Sequence, residues 1–135
     1  MLSVTPQAHI MKVCPVCKRE KEESDFYNSP SKKSGSSYCK SCFSSYCIQR
    51  WIELKKQAII DKGSSCLDCG LNYPEAPYVV FEFHHRNPEK KLFSWDKARL
   101  YSKTKRNTEL EKCDLLCSNC HKVRHHKEVC SMQLS

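Results

Sequence analysis

Tyr78-Val79-Val80-Phe81-Glu82-Phe83-His84-His85-Arg86-Asn87-Pro88 carries the sharpest local signal in the 135-residue chain. Its β-branched and aromatic run reads as a strand over 78–83, closed by two adjacent histidines just before a loop that holds a proline. A strand end fixes side chains at the rim of a domain, where they can meet solvent. Cys66-Leu67-Asp68-Cys69-Gly70 lies upstream and Cys117-Ser118-Asn119-Cys120-His121 downstream. The histidine pair therefore falls between the two halves of a predicted zinc site.

Eight of the eleven cysteines form four C-x-x-C pairs: Cys14/Cys17, Cys39/Cys42, Cys66/Cys69 and Cys117/Cys120. Two cysteines three apart place both thiolates on one ion from a tight knuckle, whereas a disulfide framework has no reason to repeat that spacing four times. The length allows one domain of ordinary size or two very small ones, and very small domains bury too little surface to forgo such staples. The expected cofactors are two structural zinc ions, one on Cys14, Cys17, Cys39 and Cys42 and one on Cys66, Cys69, Cys117 and Cys120. No basic segment followed by an apolar run opens the sequence, and no run is long enough to span a bilayer. The expectation is a reducing intracellular compartment, which suits zinc thiolates, and no membrane partner.

The formal charge is +8, from 23 Lys+Arg against 15 Asp+Glu. The excess is spread over both halves, which favours a polyanion partner through phosphate contacts and counterion release.

Residues 1–12 read as a flexible arm, with His9 solvated. Residues 13–43 read as a zinc-binding module of ribbon or knuckle type, with a short hairpin between its cysteine pairs. The 21 residues separating the pairs offer only Phe26, Tyr27 and Tyr38 as large apolar groups, so the folding energy has to come from the metal. Lys32, Lys33 and the segment Ser34-Gly35-Ser36-Ser37 form a basic loop, either solvated or lying along a phosphate backbone. Residues 44–63 read as a linker helix, with Tyr46, Trp51 or Ile52, Leu54, Ala58 and Ile59 near a three-to-four spacing and Gly63 at the C′ position. Cys47 is expected to be a core thiol, and so is Cys113.

Residues 64–130 form the second unit, and 131–135 a tail. The strand and a helix ending in His121-Lys122-Val123-Arg124-His125-His126-Lys127 would be clamped together by the Cys66/Cys69 and Cys117/Cys120 knuckles. Between them, Lys97, Arg99, Lys103, Lys105 and Arg106 are interleaved with Trp95 and Tyr101, a mixture that suits a nucleic-acid groove or, for Trp95, simple core. Four cysteines close a structural zinc site completely, which leaves His84, His85, His121 and His125 over. His121 and His125 share a face if a helix starts at the knuckle. Two or three imidazoles converging there with His84 would make a second, open metal site.

His84-His85-x-x-Pro88 flanked by C-x-x-C pairs, with a terminal C-x-x-C-H, resembles the HNH (ββα-metal) nucleases. The N-terminal four-cysteine unit is similar to the zinc module of small phage HNH and endonuclease VII-like proteins. The resemblance covers the chain from Cys14 to about Lys127. It implies a small, zinc-stabilised α+β fold: an N-terminal zinc unit, a linker helix, and a C-terminal ββα-metal nuclease unit over 64–130. It further implies a DNA endonuclease acting on double-stranded DNA, encoded by a phage in a homing or genome-processing role and working in the host cytoplasm. By the same resemblance His84 and His121 ligate one catalytic divalent ion (Mg2+, Mn2+, Ni2+ or Zn2+), His125 is a third ligand, and His85 is the general base. Arg86, beside the base, is placed to clamp a phosphate oxygen.

The middle asparagine of the family falls nine residues before the final histidine, and here that position is Lys112. Asn107 and Asn119 are out of register, so Asp114 is the candidate for orienting His85. The alternative to an enzyme is a non-catalytic zinc-finger module or regulator that binds DNA.

Overall fold

A computed structural model describes residues 10–27 and 38–134. The chain divides into two compact units, Met1–Arg50 and Trp51–Ser135. The fold is small α+β, with two antiparallel sheets of two strands each among the described residues.

In the first unit, strands β1 (Met11–Val13) and β2 (Glu20–Glu22) pair in the register Met11↔Glu22 and Val13↔Glu20. The turn between them is the Cys14–Cys17 knuckle. The Lys18 N–H donates to the Cys14 carbonyl at 2.9 Å, the Cys14 N–H donates to the Arg19 carbonyl at 3.0 Å, and Lys18 takes φ 61° to reverse the chain. The hairpin expected between the two cysteine pairs therefore wraps the first pair instead. Lys12, expected in the arm, lies in β1. Residues 1–9, with His9, and the basic loop holding Lys32 and Lys33 lie outside the described residues.

Phe26 bridges to Cys39, and α1 (Lys40–Asp61) starts directly after that cysteine, four residues ahead of the predicted helix start. Among the described residues, Cys14, Phe26 and Cys39 form the buried cluster of this unit, with Cys17, Tyr38 and Cys42 packed against it. Cys47, expected in a core, is exposed: one turn beyond Cys42, it lies on a stretch of helix that buries nothing. The helix stops in a Schellman motif. Gly63 at φ 100° donates to the Ile60 carbonyl and Ser64 to the Ile59 carbonyl, both at 3.0 Å.

In the second unit, β3 (Phe81–His85) pairs antiparallel with β4 (Cys113–Cys117), and α3 (Ser118–Leu134) follows at once. The strand was predicted three residues too early, because Tyr78–Val80 is a 3-10 turn after Pro77. The partner explains the shift: pairing begins at Phe81↔Cys117, and one residue on the chain turns into α3. The predicted helix ending at 121–127 likewise begins at the knuckle and runs on. Because side chains alternate along a strand, Phe81, Phe83 and His85 face one way and Glu82 and His84 the other. Phe81 packs with Ile59 and Leu115 in a core bordered by Tyr73, Tyr78, Val80 and Phe83. A second cluster, Cys66, Leu116 and Cys117, surrounds the knuckles.

From β3 to β4 the chain runs through a 3-10 turn (Trp95–Leu100) and α2 (Lys103–Glu111), which Ser102 caps by accepting from the Lys105 N–H. No described helix is long and apolar enough to cross a membrane.

Candidate metal centres

Both four-cysteine groups are assembled, each with its sulfurs within 4.8 Å of one another. Cys17 Sγ lies 3.9 Å from Cys39 Sγ, and Cys69 Sγ 3.7 Å from Cys117 Sγ. A tetrahedron with zinc–sulfur bonds of about 2.3 Å has an S···S edge of about 3.8 Å, so both groups could hold a structural zinc. The knuckle backbone supports negative sulfur: the Cys39 N–H points at Cys14 Sγ at 3.4 Å and the Cys120 N–H at Cys117 Sγ at 3.5 Å. Ser41 and the Cys42 backbone N–H, joined by Lys21, bring the Cys39 thiol down to about 5. Its bond to Cys39, together with burial, pushes Cys42 up to about 12. Four thiols crowded together cannot all ionise alone, and a dication at their centre removes that conflict.

The histidines make a third group. His84 on β3 and His121 and His125 on α3 each offer one ring nitrogen, all within 4.8 Å of one another. The ring of His84 lies edge-on to the other two, with centroids 5.1 and 5.2 Å away. The Nε2 atoms of His121 and His125 are 3.0 Å apart. The antiparallel pairing places His84 on the face of β3 that meets α3, and the four-residue spacing puts the other two on one side of that helix. Glu82, two residues before His84 on the same strand face, accepts a hydrogen bond from His121 Nδ1. That bond fixes the tautomer and turns the Nε2 lone pair toward the cluster, as carboxylates do behind ligating histidines. Burial, more than any other influence, lowers the His84 pKa from 6.5; repulsion from His121 and His125 adds to this and Glu128 opposes it. A neutral imidazole is the form that ligates.

His85 faces away from this cluster, into the space before α2. Its Nε2 lies 2.8 Å from a carboxylate oxygen of buried Glu109. Glu109 also accepts from the Leu92 N–H at 2.8 Å and from Lys112 Nζ at 2.9 Å. Burial raises its pKa, but the bonds from Lys112, Leu92 and His85 outweigh that and bring it down to about 2. An ionised carboxylate only accepts, so His85 Nε2 carries the proton and a neutral ring keeps its lone pair at Nδ1.

Glu109, not Asp114, is therefore the carboxylate on His85. Asp114 is engaged by Arg86 at 2.9 Å and Arg124 at 2.8 Å, and Arg124 reaches on to Asp68 in the knuckle at 2.6 and 2.8 Å. Asp114 lies opposite His84 in the strand register and so belongs to the other face. Arg86, expected as a phosphate clamp, also donates to the carbonyls of Cys113 and Glu111. Lys112, at the asparagine position, ties Glu109 to the Lys90 carbonyl at 3.1 Å.

Trp95 stacks on Trp51 at 5.0 Å and tilts against Phe83 at 4.7 Å, while Tyr101 stacks on Phe93 at 4.0 Å. These aromatic rings pack within the unit, whereas Lys97, Arg99, Lys103 and Lys105 are exposed. Cys113 is buried as expected, and burial pushes its thiol up to about 11.

Two functional candidates escaped the sequence reading, Glu82 and Glu109. Glu82 had a usable signal, its two-residue spacing from His84 on a strand. Glu109 had none short of the tertiary contact, since it meets His85 across 24 residues. Comparison with protein-family models, curated proteins and solved structures gave no match.

Proposed function

We propose that the chain is a metal-dependent DNA endonuclease of the HNH type. One observation carries this reading: three imidazoles converge on one point at the end of β3, and the adjacent His85 is held by a buried, ionised carboxylate. His84, His121 and His125 would hold the divalent ion, which when bound supplies positive charge for a phosphodiester oxygen and the departing 3′ oxygen. Three nitrogen donors favour Zn2+ or Ni2+ over Mg2+, which prefers oxygen. His85 takes the proton of the attacking water at Nδ1, while Glu109 keeps the ring in that tautomer and stabilises the imidazolium that results. Glu109 also pins the loop at Leu92. The products are 5′-phosphate and 3′-hydroxyl ends. The exposed lysines and arginines of 97–105 attract the DNA backbone without reading its sequence.

The test is supercoiled plasmid incubated with zinc-replete protein, first with EDTA and then with each of Mg2+, Mn2+, Ni2+ and Zn2+. Conversion to nicked or linear plasmid only with added metal supports the reading. A mobility shift with no strand breakage under any metal would transfer it to a non-catalytic DNA-binding module.

A further inference from the structure

Glu128 has no part in the proposed chemistry, yet it stands against two of the three clustered histidines. It follows His121 and His125 on α3 at spacings of seven and three residues, which puts all three on one face of the helix. One of its carboxylate oxygens lies 3.2 Å from His84 Nε2, and the other lies 3.6 Å from His125 Nδ1. The set of potential donor atoms within 4.8 Å of one another contains the three histidines and not Glu128. The carboxylate thus lies outside that donor set.

We infer that Glu128 is a positioning residue for this centre, its carboxylate charge set against two rings so that His84 presents Nδ1 and His125 presents Nε2 to the ion. The inference rests on the proposed reading of the cluster as a metal centre. Its chemistry follows from what each atom can do. A carboxylate accepts and does not donate, so the nitrogen facing it carries a proton and the lone pair sits on the far side of the ring. For His125 the far nitrogen is Nε2, already 3.0 Å from His121 Nε2. For His84 it is Nδ1. With Glu82 behind His121, every imidazole of the cluster is backed by a carboxylate, and the two glutamates approach from different elements, β3 and α3. The opposite assignment, with His84 ligating through Nε2, would aim that nitrogen at the carboxylate and away from the ion.

The experiment uses the full chain with both four-cysteine sites loaded with zinc, to which a third equivalent of zinc is added. Long-range 1H–15N correlation spectra of the wild type should show His84 protonated at Nε2 and ligated at Nδ1, and His125 ligated at Nε2. Competition against a chelator should show Glu128→Gln weakening the third zinc by roughly 10- to 100-fold, with two zinc ions per chain retained, as expected for a lost carboxylate behind a ligand. Ligation of His84 through Nε2, or an affinity in the variant within about two-fold of wild type against that expectation, overturns the inference and leaves the metal centre standing. Failure of the wild type to take up a third zinc overturns both.

Discussion

A buried carboxylate beside a histidine is an expensive arrangement unless every oxygen is satisfied. Glu109 is satisfied by Lys112, the Leu92 N–H and His85. Its carboxyl lies at about 2 instead of 4.5, so the stabilisation it contributes is complete above about pH 4.5 and is lost as pH falls through about 2. Glu109→Gln should therefore lower stability at neutral pH, and the gap between variant and wild type should close between pH 4.5 and 2, as measured by denaturant midpoints across that range. A gap that does not change with pH would show that the carboxylate is not held in its ionised form. Neither Glu109 nor the true partners of Asp114 could be read in the sequence, where both are acidic residues far along the chain from His85. Strand parity decided between them: Asp114 pairs opposite His84, and only a carboxylate arriving from α2 reaches the other face. By contrast, the four-cysteine sets and His121/His125 were legible, because knuckle and helix geometry are local and fix the spacing of ligands directly.

At the level of elements, boundaries moved where a partner or a metal knuckle overruled local propensity. Tyr78-Val79-Val80 is as good a strand former as Phe81-Glu82-Phe83, but β4 ends at Cys117 and leaves those residues nothing to pair with. The start of α1 moved the other way, since Cys39 and Cys42 sit at and just inside the helix and draw it into the zinc module. Its end was legible in Gly63, the only residue type that takes φ 100° without strain. An added Cβ there meets nothing within 4 Å, so the cost of Gly63→Ala is the backbone conformation alone. The expected loss is about 1–2 kcal/mol, read by chemical denaturation of the full chain. A loss near zero would mean that the Schellman turn rearranges in the variant.

On the scale of the whole chain, a four-cysteine group that could hold zinc stands where a core would be in the first unit. The three buried residues among those described there, two of them cysteines, cannot meet the entropy of ordering the described segment. Cys39→Ser should lower the zinc content from two ions to one per chain and abolish amide-exchange protection in β1 and β2, while the amides of β3 and β4 keep theirs. Protection of β1 and β2 that survives loss of that zinc would contradict the account. The charge of +8 has a parallel consequence: DNA affinity should fall steeply and linearly with log salt. Composition gives the size of the charge, but not where it lies. Lys112 and Arg106 turned out to serve as internal tethers, Arg106 donating to the Tyr101 carbonyl at 2.7 Å, whereas Lys97, Lys103 and Lys105 are exposed.

The central claim is that His85 activates water beside a histidine-held ion. Cleavage of an end-labelled duplex under single-turnover conditions, with Mn2+ or Ni2+ supplied, tests it most directly when wild type and His85→Ala are compared at equal zinc content and equal DNA affinity. The account predicts a rate lower by roughly 10²–10⁴ in the variant, the range for a lost general base. Equal rates would contradict it, and so would a wild type that binds the duplex and never cuts it.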